Sequence, residues 1–416
     1  MTLPRLRLTK PLRERIRAGH PWVYDRALAQ DRPKRSSRET MVGGPGRTHG
    51  QTTPPVALHG ELAAGDLALL VDDNGPVAIA FVDPASPIRA RIVVVVTDGA
   101  DDAAVDASWA QARVEAAVLR RARDPLLAGC TARRLVHGEA DGCPGLVVDA
   151  YADTAVVVYD GTAAQAFWRS RMDGVLAGLD RHVELAHVWV RARGAKAQGA
   201  ALRGDPPAEI VVSEDDARFA VDVRAGQKTG FFLDQRDNRR LIRRHAAGQT
   251  VLNVFSYTGG FSLHAALGGA THVTSVDIAA PAIAGIARNL ELSGLAREPH
   301  ELVCADAFDF LDTAARTNRR WDLVIVDPPS FAPNERARQS ALAAYRRLAA
   351  AAVAVVKPAG RFALASCSSH VHEADLLELV PAGLRARSIT GAASDHPVLP
   401  AFPEGRYLDF LFFDLD

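Results

Sequence analysis

The last half of the chain alternates short apolar runs with longer segments in which apolar residues recur at helical spacing. The apolar runs, in order, are "TVLNVFSY", "HVTSVDI", "ELVCADA", "DLVIVDPP" and "GRFALASCS". Strands that alternate with helices in this way are typical of a doubly wound, mostly parallel sheet. The pattern predicts an α/β, Rossmann-like domain over residues 196–416.

The first 96 residues show a different pattern, in which apolar and polar positions indicate strands. Residues 67–71, 76–82 and 88–96 form three short runs, and Asn74-Gly75 supplies a tight turn between the first two. This pattern predicts a small β-barrel over residues 1–96. Residues 31–60 are rich in Gly, Pro, Ser and Thr and cannot bury much surface, so we expect a flexible insertion there.

The middle of the chain mixes both periodicities. A charged helical run covers 107–123, two strand-like segments flank the turn formers at 149–153, and a helix is expected near 162–180. We therefore expect a separate α+β domain with a β-hairpin over residues 97–195. A chain of 416 residues is long enough for such a three-domain arrangement.

Whole-chain charge identifies no partner, because Lys plus Arg and Asp plus Glu both total 49. Residues 1–40, however, contain eleven basic residues against four acids. Such a local excess is typical of a segment that binds polyphosphate, although a solvated basic face would look the same. The four cysteines lack disulfide or metal-ligand spacing, and no stretch has the length of a membrane span. A cytoplasmic protein without a metal or membrane partner is expected.

Polar residues follow the predicted strands of the last domain in a regular order. The first strand runs into the turn that carries Gly259 and Gly260, the second ends at Asp277, the third is followed by Asp306, and the fourth by Asp327. A glycine turn allows close approach of a ligand, and acids at these places can bind ribose hydroxyls and an adenine amino group. The turn lacks the third glycine of a dinucleotide fingerprint. This difference favours S-adenosylmethionine (SAM) over NAD, although each acid alone could merely cap a helix.

A second segment, "GQKTGFFLDQRDNRR" over 226–240, precedes the first of these strands. Phe231 and Phe232 could belong to the core, or they could cover the adenosine as part of a cofactor lid. In the second interpretation Arg236 reaches a carboxylate of the cofactor.

The fifth strand ends in "ASCSSHV", which places Cys367 at the ligand-binding edge of the sheet. A thiolate that adds to carbon 6 of a pyrimidine makes carbon 5 nucleophilic enough to accept a methyl group. Asp327 could hold the cytosine edge, with Pro328 and Pro329 fixing its loop and Phe331 offering a stacking face. An unperturbed thiol is only slightly ionised at neutral pH, so the site must lower the pKa of Cys367 or supply a base.

Two other interpretations stay open at this point. An Asp-Pro-Pro sequence followed by an aromatic residue also suits methylation of an exocyclic amine or of guanine, for which no cysteine is needed. A protein that keeps the cofactor fold without catalysis could instead serve as an RNA-binding assembly factor.

These motifs resemble the bacterial 23S ribosomal RNA (cytosine-5-)-methyltransferases of the large-methyltransferase-I type, and the resemblance covers nearly the whole chain. The segments that carry it are "HPWVY" (20–24), "GEADGCPGLVVD" (138–149), "KTGFFLDQRDNRR", "NVFSYTGGFS", "SVDIA", "VDPPSF", "SCS" and "DHPVLPAFPEGRYL" (395–408). The resemblance implies a PUA domain that binds RNA, a middle domain with a β-hairpin, and a class I methyltransferase domain with a mostly parallel seven-stranded sheet. It implies large-subunit ribosomal RNA as partner; a second copy of the chain is a further candidate partner.

The resemblance also assigns roles to residues. Cys367 is expected to be the nucleophile, with Asp327 beside it. Substrate contacts are expected from Pro328, Pro329, Ser330, Phe331, Arg13, Arg17 and His20. The SAM site is expected to comprise Phe231, Phe232, Arg236, Asn253, Phe255, Tyr257, Gly259, Gly260, Phe261, Asp277, Ile278, Asp306, Ala307 and Asp327.

Three departures from the pattern limit what can be carried over. The insertion at 31–60 is longer than a PUA barrel needs. Ser330 stands where RNA cytosine-5 methyltransferases of the two-cysteine kind have a second cysteine, so the base that removes the carbon-5 proton is not identified. Asp409 occupies a position where a basic residue is expected.

Overall fold

The computed structural model describes residues 3–29, 62–97, 104–191, 199–332, 335–368 and 370–416. The insertion predicted at 31–60 lies outside these described residues.

The first part is a five-stranded sheet whose edges meet. Its elements are β1 (Arg5–Arg7), α1 (Arg13–Arg17), β2 (Trp22–Tyr24), β3 (Leu67–Asp72), β4 (Gly75–Val82) and β5 (Ile88–Val95). The strand order is β1-β3-β4-β5-β2. Backbone hydrogen bonds of 2.9 Å, from Thr9 to Ala27 and from Ala29 to Arg7, join the outer edges and curl the sheet into a small barrel. Its three predicted strands lie within a residue or two of β3, β4 and β5.

The second part is a five-stranded sheet with helices packed against it. Its elements are α2 (Ala107–Ala122), β6 (Ala132–His137), β7 (Leu146–Tyr151), β8 (Thr154–Tyr159), α3 (Thr162–Arg169), α4 (Met172–Asp180), β9 (His187–Val190) and β10 (Ala200–Arg203). The strand order is β10-β9-β8-β7-β6. Buried residues of the first barrel, including Ile79 and Phe81, share one core with α2 and α3.

A separate hairpin, β11 (Ile210–Glu214) and β12 (Ala217–Val221), leads from the second part into the third. Phe219 of the hairpin is buried in a core that also contains Tyr151 of β7 and Ile286 of the last part. The boundaries at 96 and 195 remain predictions. The second sheet itself extends to Arg203, and the hairpin follows it.

The last part is a seven-stranded sheet between two layers of helices. Its elements are α5 (Arg236–Arg244), β13 (Thr250–Val254), α6 (Gly260–Leu267), β14 (His272–Asp277), α7 (Ala280–Leu292), β15 (His300–Cys304), α8 (Ala307–Arg316), β16 (Trp321–Val326), α9 (Arg338–Val353), β17 (Val356–Ser366), α10 (Glu373–Leu379), β18 (Leu384–Thr390) and β19 (Asp409–Leu415). The strand order is β15-β14-β13-β16-β17-β19-β18, and β19 is antiparallel to both of its neighbours. The predicted α/β class with a mostly parallel seven-stranded sheet is confirmed.

The central strands are mostly apolar because both of their faces are covered. Leu323, Val324, Ile325 and Val326 of β16 are fully buried, as expected for a parallel strand between two helix layers. The pairing register sets Val254 beside Val276 and Val326, and Val326 beside Leu364. The carboxyl ends of β13, β14, β16 and β17 therefore meet at one edge of the sheet.

The segment 391–408 joins all three parts of the chain. Its Phe402 ring packs 4.5 Å from the Trp22 ring of the barrel. Asp395 accepts a 2.8 Å hydrogen bond from the backbone nitrogen of Arg134 in the second part and pairs with Arg236 of the third at 2.9 Å. The segment is thus fixed by both apolar and charged contacts.

Candidate active site

A cavity of about 540 Å³ opens at the carboxyl edge of the seven-stranded sheet. Its walls come from the turn after β12 and from the loops that follow β13, β14, β16 and β17, with Leu408 on one side. Ligand sites of open α/β sheets lie at this edge because the loops there are free to vary. The predicted crevice is therefore present.

The loop after β13 is fixed by Asp277 at the end of β14. One carboxylate oxygen of Asp277 accepts a 2.8 Å hydrogen bond from the backbone nitrogen of Tyr257, and the other accepts one of 2.9 Å from Ala279. Phe255 and Tyr257 have φ angles of +61° and +48°, in the left-handed region that non-glycine residues rarely adopt. Strained backbone that lines a cavity is consistent with a binding role.

The two glycines after this loop are required mainly by packing inside the protein. A Cβ atom on Gly259 would lie 3.0 Å from Cγ2 of Ile286, and Gly259 has a φ of +84° as the first residue before α6. A Cβ atom on Gly260 would lie 3.0 Å from Cδ of Arg239. Gly260 lines the cavity, whereas Gly259 does not. The glycine turn was predicted to allow close approach of a ligand, but at Gly259 it allows close packing of helix α7.

Asp327 follows β16 and faces the cavity. Its Oδ2 atom accepts a 3.1 Å hydrogen bond from Nε2 of Gln235. Gln235 is itself held by Asn238, whose amide donates to Oε1 of Gln235 at 2.7 Å. Burial, reinforced by the negative charge of Asp234, raises the pKa of Asp327 to about 7. A carboxyl group with this pKa can accept and donate a proton near neutral pH.

Cys367 follows β17 and lines the same cavity as Asp327. Its side chain is partly exposed, and it belongs to no disulfide. Burial and the neighbouring charge of Asp327 raise the pKa of the Cys367 thiol to about 11. Of the two routes to a thiolate considered from the sequence, the site therefore favours a base over a lowered pKa.

Most of the predicted site residues meet in this cavity. Those that line it are Phe231, Phe232, Phe255, Tyr257, Gly260, Phe261, Asp277, Ile278, Asp327, Pro328, Pro329 and Cys367.

Arg236 is a correction to the predicted cofactor site. It is fully buried, and its guanidinium pairs with Asp395 at 2.9 Å and donates to the carbonyl oxygen of Ala132 at 2.8 Å. Its carboxylate partner is thus a residue of the segment 391–408, because α5 directs the side chain away from the cavity and towards the second part of the chain.

Five other predicted residues lie outside the cavity lining, and local packing explains most of them. Asn253 is buried and donates to Ser262 at 2.9 Å, Ala307 is buried, and Ser330 is exposed. Phe331 is partly exposed and packs edge to face on Tyr345, with ring centres 5.0 Å apart, and its stacking on a base stays a prediction. Asp306 caps α8 by accepting from the backbone nitrogen of Phe308 at 2.8 Å. Its contact with an adenine stays a prediction.

Some of the residues predicted to bind RNA make contacts within the protein instead. Arg13 is a correction: it makes two hydrogen bonds to Asp72, of 2.9 and 2.5 Å, and two to backbone carbonyls, so its donors are used within the barrel. Arg17 is exposed and pairs with Glu14 at 3.3 Å. His20 is buried, but it lines a second cavity of about 620 Å³ in the barrel.

Several cavity residues were not predicted from the sequence. They include the polar residues Lys228, Asp234, Gln235 and Ser256. The first three lie within the segment "GQKTGFFLDQRDNRR", from which only Phe231, Phe232 and Arg236 were assigned to the cofactor site. Polar residues in a turn carry no periodic signal, so only their contacts identify them.

The cavity suits a nucleoside with a charged tail. Asp277 can accept hydrogen bonds from ribose hydroxyls, and Phe232, Tyr257 and Ile278 offer apolar surface beside it. The hydroxyl oxygen of Ser256 is buried at the cavity without a hydrogen-bond partner among the described residues. A buried polar atom of this kind needs a partner, which a bound ligand can supply. These residues fit SAM, and a seven-stranded sheet with such an edge defines a class I methyltransferase.

Comparison with known proteins supports this class. The model of the family described as S-adenosylmethionine-dependent methyltransferase matches residues 169–385. A ribosomal RNA large subunit methyltransferase of Deinococcus radiodurans is 36% identical over 433 residues, covering 99% of this chain and 97% of the relative. Ribosomal RNA large subunit methyltransferase I of Klebsiella pneumoniae is 30% identical over 419 residues, covering 97% and 96%. The chain belongs to the S-adenosylmethionine-dependent methyltransferase family, and SAM is its cofactor.

Solved structures show the same fold over the full length. A SAM-dependent methyltransferase from Streptococcus mutans superposes with a TM-score of 0.79 at 20% identity, covering 99% of this chain and 100% of the other. A methyltransferase complexed with SAH superposes with a TM-score of 0.80 at 21% identity and full coverage of both chains. Among the described residues, no helix combines the length and apolar character needed to cross a membrane.

Proposed function

We propose that this protein is a SAM-dependent RNA methyltransferase that forms 5-methylcytosine in large-subunit ribosomal RNA through a covalent adduct with Cys367. The observation that carries the proposal is that Cys367 and Asp327 line one cavity together with Asp277. The names of the relatives from D. radiodurans and K. pneumoniae support ribosomal RNA as the substrate. This substrate would place the enzyme in the bacterial cytoplasm.

The chemistry follows from the two raised pKa values. When bound, SAM supplies a methyl group on a positively charged sulfur. Asp327, ionised above pH 7, takes the proton from Cys367 and passes it to ring nitrogen 3, while Sγ bonds to carbon 6. The electrons of the carbon 5–carbon 6 double bond then lie towards carbon 5, the atom to be methylated. Once carbon 5 carries the methyl group, its remaining proton passes to solvent, the carbon 5–carbon 6 double bond re-forms as the carbon–sulfur bond breaks, and Asp327 returns the nitrogen-3 proton to the leaving thiolate.

Trapping of the adduct tests this proposal. RNA that contains 5-fluorocytidine cannot lose a proton from carbon 5, so the enzyme stays bound to it through Cys367. With SAM present, the wild-type enzyme and Cys304→Ser are expected to form a complex that survives denaturing electrophoresis. Cys304 is an exposed thiol outside the cavity lining and is the matched control. Cys367→Ala is expected to form no complex and to lose methyl transfer while still binding SAM.

Methylation of an exocyclic amine or of guanine is the alternative, since Asp327 followed by Pro328 and Pro329 would suffice for it. Retained methyl transfer by Cys367→Ala would reject the thiol mechanism in favour of this alternative. A non-catalytic assembly factor that keeps the cofactor fold would also bind SAM. Transfer of the methyl group to RNA is expected only for the enzymes and separates both from such a factor.

We further propose that the N-terminal barrel contacts the RNA through its own cavity of about 620 Å³. Lys10, Arg15 and Arg26 line this cavity together with Trp22 and Tyr24, and Tyr24 is 38% exposed. Cations beside an aromatic surface suit a phosphodiester chain with unpaired bases. The predicted PUA-type function is thereby assigned to residues other than Arg13.

Alanine at Lys10, Arg15 and Arg26 together is expected to weaken RNA binding and to flatten its salt dependence. Three lost phosphate contacts reduce the slope of log K against log salt by about 2 for a single strand. Filter binding at salt concentrations from about 50 to about 300 mM measures this slope. The control removes three exposed arginines of the last domain, Arg316, Arg385 and Arg387. Equal slopes for the two triple variants would contradict an RNA contact at the barrel.

A further inference from the structure

The turn between β12 and α5 holds a lysine in an unfavourable backbone conformation. Lys228 has a φ of +51°. Two closely packed glycines, Gly226 and Gly230, flank this lysine in the turn. A Cβ atom on Gly226 would lie 2.4 Å from the carbonyl oxygen of Asp222, and a Cβ atom on Gly230 would lie 2.6 Å from Cγ1 of Val221. A left-handed conformation costs a residue with a side chain on the order of 1 kcal/mol. Such strain persists where the surrounding structure fixes a side chain in place.

The ammonium group of Lys228 is anchored at the wall of the active-site cavity. Its Nζ atom lies 2.5 Å from Oδ2 of Asp234 and 4.4 Å from the centre of the Phe232 ring. Tyr407 donates a 2.8 Å hydrogen bond to the same carboxylate oxygen and so fixes the anchor. The side chain of Lys228 is 34% exposed, whereas that of Asp234 is buried. The ammonium therefore faces the cavity from a fixed position.

Three charged groups dominate the field at the Cys367 thiol. Asp327 and Asp234 are negative, and Lys228 is positive. Tyr345 also lies near, but its hydroxyl donates to Ser366 at 3.0 Å and not to the sulfur. Helix α10 begins only at Glu373, six residues further on, so the helix dipole gives the thiol no direct help. A thiolate formed at this place is stabilised by a cation. Of these three groups, only Lys228 is positively charged.

We propose that Lys228 is a positioning residue of the active site, whose ammonium stabilises the negative charge shared by Cys367 and Asp327 while the nucleophile forms. The proposal rests on the thiol chemistry proposed above. It assigns a task to the strained turn, which is to hold one cation against Asp234, in the wall of the cavity that Asp327 and Cys367 also line. Burial alone would raise the pKa of Asp234, but Lys228, together with His396 and Tyr407, lowers it, so Asp234 stays ionised.

A purely structural role for Lys228 makes a different prediction. In that case the ion pair with Asp234 would only tie the turn at 226–230 to the start of α5. Loss of the lysine would then lower the melting temperature and leave the reactivity of the thiol unchanged. The two roles are therefore separated by the chemistry of Cys367 in the absence of RNA and SAM.

Alkylation of the full-length protein by iodoacetamide provides this measurement. Rates for each cysteine are followed between pH 7 and 9 by peptide mass spectrometry, with exposed Cys304 as the internal reference. Only the thiolate reacts, so each unit of rise in the pKa of Cys367 slows alkylation about ten-fold at fixed pH. Lys228→Met is expected to slow Cys367 relative to Cys304 by at least about three-fold. Lys228→Arg is expected to remain near wild type, because it keeps the positive charge.

The outcomes decide the proposal without reference to methyl transfer. The proposal is overturned if Lys228→Met has the same ratio of Cys367 to Cys304 alkylation rates as the wild type. This holds even if the variant binds SAM more weakly. If Lys228→Met does not fold, Lys228→Gln carries the test: it keeps a hydrogen-bond donor for Asp234 without the charge, and a rate of Cys367 alkylation relative to Cys304 equal to that of the wild type overturns the proposal. Failure of the fluorocytidine trapping would instead reject the covalent mechanism, independently of these rates.

Discussion

At the scale of single residues, burial of Asp327 opposes the ionisation of its carboxyl group. Its pKa is raised from 3.8 to about 7, so the folded protein binds a proton that the unfolded chain releases between these two pH values. Stability is therefore expected to fall as the pH rises from about 4 to 7. Above pH 7 the cost reaches up to about 4 kcal/mol, at about 1.4 kcal/mol for each pKa unit.

Asp327→Asn removes this cost and is expected to raise the melting temperature. The gain over wild type should be absent near pH 4, grow up to pH 7 and then stay constant, as measured by thermal unfolding across this range. Asp322→Asn at the other end of β16 is the control of opposite sign. There burial is outweighed by hydrogen bonds from Thr250 and Lys357, which lower the pKa of Asp322, so the variant should lose stability above pH 4. A pH-independent gain for Asp327→Asn would contradict the raised pKa.

Asp277 is expected to contribute to SAM binding both directly and through the loop that it holds. In Asp277→Asn an amide replaces one acceptor, and the hydrogen bond from Tyr257 or the one to the ribose is lost. Calorimetric titration is expected to show binding weakened about ten-fold or more, since a hydrogen bond to a charged group contributes about 1.5–3 kcal/mol. Asp312→Asn, an exposed acid on α8, should leave the affinity unchanged. Equal affinities for the two variants would remove Asp277 from the cofactor site.

Sequence alone located the chemical groups of the site but not all of their tasks. Asp277, Asp327 and Cys367 were placed correctly in one crevice, because the ends of parallel strands meet at one edge. Arg236 was misassigned because helical spacing does not tell which face of α5 is turned to the cavity. Lys228 was missed because a left-handed turn position leaves no pattern in the sequence.

At the scale of elements, the turn between β13 and α6 combines two demands on Gly259. Its φ of +84° and the close approach of Ile286 at 3.0 Å both oppose a side chain. Gly259→Ala is therefore expected to destabilise the protein by about 2–4 kcal/mol, the sum of backbone strain and overpacking. Gly248→Ala is the matched control, since Gly248 has a φ of +74° but nothing within 4 Å of the added Cβ. It should cost only about 1 kcal/mol in chemical denaturation; equal losses would show that packing against α7 is unimportant.

The elements themselves were largely predictable. Alternating or continuous apolar runs gave three of the five barrel strands, β3, β4 and β5, and the five parallel strands of the last sheet. The three-residue strands β1 and β2 of the barrel were not predicted. The antiparallel pair β18 and β19 and the hairpin β11–β12 were not predicted. Their residues pair with neighbours far away in sequence or lie between two sheets, and a local pattern contains no information on such partners.

At the scale of the whole molecule, a buried charge cluster joins the second part of the chain to the last. Asp395 accepts from the backbone of Arg134 at 2.8 Å and pairs with Arg236 at 2.9 Å and with His396 at 2.8 Å. Asp395→Ala would leave Arg236 buried without its partner. The expected loss is about 3–5 kcal/mol in the free energy of unfolding.

Chemical denaturation measures this loss, with Asp180→Ala as the control. Asp180 pairs with Arg203 at 2.7 Å on the surface of the second part, where both side chains are at least one-third exposed. An exposed pair contributes at most about 1 kcal/mol. If Asp395→Ala lost no more than Asp180→Ala, the cluster would not be what couples the two parts.

The position of β19 in the sheet has a consequence for biosynthesis. This strand, Asp409–Leu415, lies between β17 and β18 rather than at an edge. While the polypeptide is being made, β18 has no partner until these residues emerge, and one side of β17 stays open. A nascent chain can thus assemble its barrel and second sheet early, yet the last sheet is completed only once Asp409–Leu415 has followed all the other described strands out of the ribosome. Chaperones that shield unpaired strands would be expected to act on this protein at that stage.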